Sequence, residues 1–121
     1  MRIALPAENK SMDANIYQSF GRTPYILLYN TITKESEFLD NSAVVMQGGA
    51  GIRVAQVVAD NGAKTLITLR CGENAEKVLS SAEVLIYKAI PGTVQQNIDK
   101  FISEELHLLN EFHEGFHGNE E

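Results

Sequence analysis

A short apolar segment near the middle of the chain constrains the fold most. Residues 65–69 read Thr-Leu-Ile-Thr-Leu, a β-branched and aliphatic run that is typical of a strand buried on both faces. Asn61-Gly62 before the run and Gly72 after it are turn signals, and helical patterns lie on either side. The segment is therefore predicted to be a central parallel strand of an α/β sheet.

The only cysteine of the chain, Cys71, directly follows this strand. Open α/β sheets bind ligands beyond the carboxyl ends of their strands, because loops and helix N-termini converge there. The neighbouring Arg70 and the following helix start predict a lowered thiol pKa. Cys71 is therefore a candidate metal or cluster ligand, or a nucleophile; the alternative is a small buried residue that packs at the end of the strand.

The three histidines, His107, His113 and His117, lie close to the C-terminus. A cysteine hydrolase needs a base beside its thiol, so this position argues against such chemistry, and the chain is predicted not to be an enzyme. On a helix, His113 and His117 would share one face and bind a metal together, as a set with Cys71. The alternative is a tail in which these histidines have no common role.

Strand and helix patterns continue on both sides of residues 65–69. The predicted strands are Arg2–Leu5, Tyr25–Tyr29, Glu37–Leu39, Thr65–Leu69 and Val84–Tyr87, with the first beside the fourth. The predicted helices cover about Ile52–Asn61, Ala75–Ala82 and Val94–Ile102, the last with Thr93 and Gln96 in capping-box spacing. This order predicts an α/β fold with one mixed five-stranded sheet and about three helices.

A long polar segment, Ala7–Thr23, follows the first strand and is expected to be a mobile loop. It contains Asp13, Ser19 and Arg22, and a guanidinium can bind an anion through two hydrogen bonds. Loops that follow adjacent parallel strands meet at one edge of a sheet, so we expect these three residues to approach Cys71. The alternative for Arg22 is an arginine on the loop surface.

A second segment, Asn41–Gly51, is also expected to be mobile and ends in Gly48-Gly49-Ala50-Gly51 before a helix. The free N–H groups of such a helix start, including those of Gly49 and Gly51, can bind an anion. The segment does not match the dinucleotide fingerprint or a P-loop. The alternative is a flexible start of a helix.

Length and charge limit the classes of protein. A chain of 121 residues with 44% apolar residues fits one domain, predicted as residues 1–109 with a flexible tail at 110–121. A net charge of −6 argues against binding to nucleic acid or to an anionic membrane through a general positive field. No apolar run is long enough to span a bilayer, and a single cysteine fits a reducing cytoplasm.

Several weak motifs in a particular order resemble one family over about residues 1–109. They are the strand Met1–Pro6, the stretch Asp13–Ile16, Phe20-Gly21-Arg22-Thr23, the glycines of Gly48–Gly51, the turn Leu69–Gly72, Ala75, and Ile90-Pro91-Gly92-Thr93-Val94. This pattern resembles the dinitrogenase iron–molybdenum cofactor biosynthesis family. Family members often have His where this chain has Ser19, and imidazole is the better ligand for an iron-group metal.

The resemblance implies a ribonuclease-H-like three-layer fold. It also implies a small carrier module for an iron–sulfur or iron–molybdenum cofactor or its precursor, with a client or donor protein as a further partner. A cofactor-free interaction or regulatory domain that uses Met12, Tyr17 and Phe20 as an apolar contact is the alternative. A metal-dependent nuclease is rejected, because the first and fourth strands carry no carboxylate.

Overall fold

The computed structural model describes residues 1–42 and 50–112, and in this part of the chain five strands form one mixed sheet. The strands are β1 (Arg2–Ala7), β2 (Tyr25–Asn30), β3 (Ser36–Asp40), β4 (Thr65–Thr68) and β5 (Leu85–Lys88). The helices are α1 (Ala50–Asp60), α2 (Glu73–Ser81) and α3 (Val94–Ile102), with a 3₁₀ helix at Phe20–Arg22.

The sheet has the order β3-β2-β1-β4-β5. β1 pairs antiparallel with β2, which pairs antiparallel with β3, whereas β1, β4 and β5 run parallel. All four residues of β4 are buried, since strands cover both of its edges and helices cover both of its faces. The predicted α/β class, the mixed five-stranded sheet and the central place of β4 are confirmed.

Helices cover the two faces of the sheet, and the alternation of side chains along the strands divides the core between them. α1 and α2 pack on one face, where Ala4, Leu66 and Ile86 point. α3 packs on the other face. The largest fully buried side chains of that second core are Ile3, Leu5, Leu27, Ile67 and Ile98. Each fully buried aliphatic side chain contributes about 1.5–3 kcal/mol, so both faces are needed for a stable domain.

The ends of two helices follow their sequence signals. The Thr93 Oγ accepts a hydrogen bond from the Gln96 N–H at 3.0 Å, and the Gln96 Oε1 accepts one from the Thr93 N–H at 2.8 Å. This is the predicted capping box, and such a cap typically stabilises a protein by about 1 kcal/mol. Gly62 follows α1 with φ 76°, a left-handed conformation that costs glycine little.

The segment Ala7–Thr23 is not the structureless loop that the sequence predicts. The Ile16 N–H donates to the Gly92 carbonyl at 2.8 Å, and the Val94 N–H donates to the Ala14 carbonyl at 2.9 Å, so the segment is fastened to the start of α3. The apolar side chains of Ala14, Ile16 and Phe20 are buried. They are irregularly spaced among polar residues, which is why no periodicity revealed them.

After α3 the chain returns along the edge of β5, in a segment that we call the edge strap (residues 106–112). The Lys88 N–H donates to the His107 carbonyl at 2.7 Å, and the Leu109 N–H donates to the Ile86 carbonyl at 2.9 Å. Phe112 packs against the core, so the described chain is folded beyond residue 109. The expectations for residues 43–49 and for residues 113–121 concern parts that lie outside the described residues.

Candidate functional site

Cys71 lies at the carboxyl end of β4, one residue before Gly72, the N-cap of α2. Its side chain is in the core under α1 and α2 and is only 1% exposed. A cavity of about 290 Å³ adjoins it. The cavity is lined by Leu69, Arg70, Cys71, Lys88, Leu109, Glu111 and Phe112. The edge of the sheet at which ligands of open α/β folds bind is therefore also where this cavity lies.

The surroundings of Cys71 favour the neutral thiol. Burial, with a smaller contribution from the negative charge of Glu76, raises the pKa of Cys71 to about 12. The Sγ atom lies 3.6 Å from the Gly72 carbonyl oxygen, to which the thiol donates. The predicted lowering of the pKa by Arg70 and the helix start is wrong, because the cost of burying a thiolate exceeds the attraction of an exposed guanidinium.

Two cationic side chains, those of Arg70 and Lys88, line the cavity next to Cys71. Arg70 follows β4 and Lys88 ends β5, and both side chains are exposed. One carboxylate, that of Glu111, lines the same cavity. With two cations against one anion, the cavity is locally positive in a chain whose net charge is −6. This arrangement favours an anionic ligand.

Ser19 is placed next to this end of β4. Ser19 forms a parallel bridge with Arg70, and the Phe20 N–H donates to the Arg70 carbonyl at 3.4 Å. Phe20 is 1% exposed and belongs to the same core cluster as Cys71. Arg22 ends the 3₁₀ helix with an exposed side chain. The fold thus places Ser19 beside Arg70, the residue before Cys71, and leaves the Arg22 side chain exposed at the end of the 3₁₀ helix.

Asp13 lies elsewhere. Its N–H donates to the Ser11 Oγ at 3.1 Å, and its side chain is exposed. The carbonyls of its neighbours, Met12 and Ala14, accept hydrogen bonds from the first turn of α3. Asp13 therefore faces the start of α3, and it is not among the described residues that line the Cys71 cavity. The described contacts hold Asp13 at α3, and its approach to Cys71 stays a prediction.

The glycine-rich helix start is described only in part. Gly51 already lies in the first turn of α1, which begins at Ala50 and not at Ile52 as predicted. A Cβ atom at Gly51 would lie 3.8 Å from the Cβ of Ala75, an ordinary contact, so α1 and α2 pack closely here. Ile52, the predicted first residue of this helix, is 49% exposed. Gly48 and Gly49 lie outside the described residues.

The proposed histidine ligands also lie outside them. Phe112 is the last described residue, one position before His113, and it lies at the Cys71 cavity. In residues 1–42 and 50–112, no three His, Cys, Asp or Glu side chains form a group that could hold a metal ion. The roles of His113 and His117 therefore stay predictions.

Three lining residues were missed by the sequence reasoning: Lys88, Leu109 and Phe112. A signal existed for Lys88, because it ends the strand beside β4 and the rule that selected Cys71 applies to it equally. No local signal existed for the other two. They reach the cavity only because the edge strap runs along β5.

The fold and the site together define a small α/β domain with a ligand-sized, positively lined cavity at the carboxyl edge of its sheet. The model of the family described as dinitrogenase iron–molybdenum cofactor matches residues 1–104, and the chain belongs to this family. It is thus a small cofactor-related domain. In the part of the chain that the structure describes, no helix is long and apolar enough to cross a membrane.

Individual relatives agree in fold. The apo form of the orange protein from Desulfovibrio gigas is 31% identical with a TM-score of 0.84, over 89% of this chain and 92% of that one. A Thermotoga protein described as a candidate NifB protein is 31% identical with a TM-score of 0.81, over 97% and 98% of the two chains. An uncharacterised protein of Methanocaldococcus jannaschii is 27% identical over 88% of this chain and 89% of its own length.

Proposed function

We propose that this protein is a small carrier for an iron–sulfur or iron–molybdenum type cofactor or its precursor, bound at the Cys71 cavity. The observation that carries the proposal is a cavity with a cysteine at its wall and two cations at its rim, in a member of this family. The cofactor is cargo in this proposal and not a permanent group. The protein is accordingly a binding module and not an enzyme.

The donor set fits a loosely held cargo. Iron–sulfur clusters are normally held by four cysteine thiolates, and this chain has one cysteine. Metal–sulfide species with thiolate or sulfide ligands are commonly anionic, so Arg70 and Lys88 would supply much of the attraction. Ligation by Cys71 requires loss of its proton, and each unit by which the pKa is raised costs about 1.4 kcal/mol. Release to an acceptor is therefore easy, as a carrier requires.

Further parts of the proposal concern residues and partners. Ser19, which bridges Arg70, and Arg22, three residues further along the chain, are proposed to contact a cargo larger than the cavity, and Gly51 lies where α1 meets α2. His113 and His117 are proposed as additional ligands, which would compensate for Ser19 in the position where relatives often have His. The partners are the metal–sulfur cofactor and a client or donor protein, in the cytoplasm, without nucleic acid or membrane.

We also propose that the fold is ribonuclease-H-like, as the family resemblance implies. It does not extend to nuclease chemistry, which holds two metal ions with carboxylates on the central strands. β1 and β4 have the sequences RIALPA and TLIT, without Asp or Glu.

A cofactor-free interaction domain is the second candidate. The contact residues predicted for it do not suit the role, because Phe20 is 1% exposed, Met12 is partly buried against the core and Tyr17 is partly buried. A different observation favours it: the large apolar side chains of Leu85, Ile102 and Leu108 are each more than half exposed. Such exposure is common singly, and it marks an interface when side chains form one patch.

Anaerobic reconstitution separates the two candidates. The purified protein is incubated with ferrous iron and sulfide, with and without molybdate, and freed of small molecules. Visible absorption and metal analysis then report bound cofactor. The carrier proposal expects metal and sulfide bound in about equal molar amount to the chain or above it, and their loss to a competing acceptor protein. A protein that retains no metal–sulfur species would overturn the carrier proposal and leave the interaction domain.

A further inference from the structure

Cys71 is beside the cavity but is itself nearly inaccessible, with 1% of its surface exposed. A cargo that contacts the sulfur must therefore displace something. Besides α1, whose side chains in this core are 0% exposed, three elements surround this residue: the β4–α2 turn that carries it, the 3₁₀ helix with Phe20, and the edge strap with Leu109 and Phe112. The element that is held least firmly will move first.

Two of the three are firmly anchored. The 3₁₀ helix is fixed by the fully buried ring of Phe20 and by Thr23, which is 0% exposed and whose Oγ donates to the carbonyls of Ala7 at 3.2 Å and Tyr25 at 2.8 Å. The β4–α2 turn leads into Ala75 and Leu79, which lie in the core. Movement of either would open the main core of the domain.

The edge strap is held by few interactions. Two backbone hydrogen bonds join it to β5, through the His107 carbonyl and the Leu109 N–H. Leu106 is buried on the α3 face and Leu109 on the other face, whereas Leu108 is 56% exposed. Among the described residues, no strand pairs with the outer side of the strap. Segments with few buried contacts and exposed hydrogen bonds open at low free-energy cost.

We propose that the edge strap controls access to Cys71: it separates from β5, and Leu109 and Phe112 then uncover the sulfur. The inference deepens the proposed function, on which its biological meaning rests. Glu111 is part of the same device, because it carries a negative charge into the cavity lined by Arg70 and Lys88. This carboxylate repels an anionic cargo that enters the cavity. Arrival of the cargo thus favours the open strap.

Thiol labelling tests the proposal without any cofactor. The chain has one cysteine, so reaction with N-ethylmaleimide, followed by intact-mass spectrometry, reports Cys71 alone. We expect Leu109→Ala to accelerate labelling about tenfold or more, which corresponds to about 1.4 kcal/mol in the opening equilibrium. Leu108→Ala is the matched control, since it removes the same atoms from an exposed neighbour on the strap. Its labelling rate should stay within about twofold of the parent.

A second pair of variants separates local opening from global unfolding. Phe112→Ala should also accelerate labelling about tenfold, whereas Phe38→Ala removes an equally partly buried ring from β3 on the opposite face. Equal acceleration by both would mean that labelling requires global unfolding, and this would overturn the proposal. Labelling of Leu109→Ala and Phe112→Ala at the rate of the parent protein would also overturn the proposal.

Failure of the strap and failure of the carrier function give different results. If the labelling rates follow the expected pattern but reconstitution yields no bound metal, the strap is confirmed and the proposed cargo is wrong. If reconstitution succeeds while labelling ignores the strap, the cargo reaches the cavity by another route. In amide exchange, the Leu109 N–H should exchange at least about tenfold faster than the N–H groups of β4, and equal protection would contradict the proposal.

Discussion

The burial of Cys71 couples protonation of its thiol to folding. In the unfolded chain a cysteine ionises near pH 8.5, whereas burial raises the pKa of Cys71 in the folded protein to about 12. The folded state therefore keeps a proton that the unfolded state loses between these two pH values. Stability from the buried thiol is complete below about pH 8.5 and decreases as the pH rises toward 12.

This coupling predicts a difference between the parent and Cys71→Ala. Above about pH 8.5 the free energy of unfolding of the parent should fall by up to about 1.4 kcal/mol per pH unit more than that of Cys71→Ala. Urea unfolding of both proteins at pH 7, 8, 9 and 10 measures the difference, and groups common to both cancel. A difference that does not change with pH would mean that the folded thiol ionises as easily as the unfolded one.

The same substitution tests the proposed ligand. Cys71→Ala should abolish retention of iron and sulfide after reconstitution, and at pH 7 it should change the free energy of unfolding by no more than about 1–2 kcal/mol. Metal analysis and urea unfolding are measured on the same preparation. Retention equal to that of the parent would show that Cys71 is not a ligand, even if the cavity binds the cargo.

Among the secondary-structure elements, α3 is held at its start by one buried polar side chain, that of Asn97. Asn97 is 0% exposed, its Nδ2 donates to the carbonyls of Ile90 and Thr93 at 3.0 and 2.9 Å, and its Oδ1 accepts from the Ile90 N–H at 2.8 Å. It thereby fixes the Ile90–Thr93 turn, whose Gly92 carbonyl accepts from Ile16. The link between segment 7–23 and α3 depends on this turn.

Asn97→Ala should therefore destabilise the protein by about 2–4 kcal/mol, because it removes three part-buried hydrogen bonds and leaves the Ile90 N–H and carbonyl without this partner. Gln95→Ala is the control, since the Gln95 side chain donates to the exposed Asp99 carboxylate at 3.0 Å and loss of this side chain should cost less than about 0.5 kcal/mol. Urea unfolding measures both. Similar losses in the two variants would show that the turn is held by its other contacts.

The fastened segment also changes what is expected of its dynamics. The Ile16 and Tyr17 N–H groups donate to the Gly92 and Pro6 carbonyls at 2.8 and 3.0 Å. Their amide exchange should be at least about a hundredfold slower than that of Lys10, for which the structure gives no backbone partner. If the Ile16 N–H exchanged as fast as that of Lys10, the segment would be the mobile loop that the sequence predicts.

For the molecule as a whole, the sequence predicted the elements whose signals are local. The unbroken apolar run of β4 and the cap at Thr93 each contain their own evidence, and both are confirmed. The edge strap has no such signal, because Leu106 and Leu109 bury on opposite faces of the sheet. The thiol pKa was wrong for a related reason: the burial that raises it comes from residues distant in sequence.

In a protein whose net charge is −6, the positive charge of the cavity can be tested by removing its two cations. Lys88→Gln combined with Arg70→Gln should weaken binding of an anionic metal–sulfide species about tenfold, since each partly exposed charge contributes about 0.5–1 kcal/mol. Lys64→Gln removes an exposed lysine from the opposite end of β4 and serves as the control. Titration at two salt concentrations measures the effect. Equal weakening by Lys64→Gln would indicate only a general change of net charge.

The pairing of β1 with both β2 and β4 has a consequence for biosynthesis. The β1–β2–β3 meander uses only the first part of the chain, whereas the pairing of Ile3 with Thr65 must wait until β4 has left the ribosome. Until then one edge of β1 has no hydrogen-bond partner, and the strand carries the apolar side chains of Ile3, Ala4 and Leu5. Such edges recruit strands from other chains. The interval between translation of β1 and β4 is therefore when nascent copies of this protein are most exposed to aggregation.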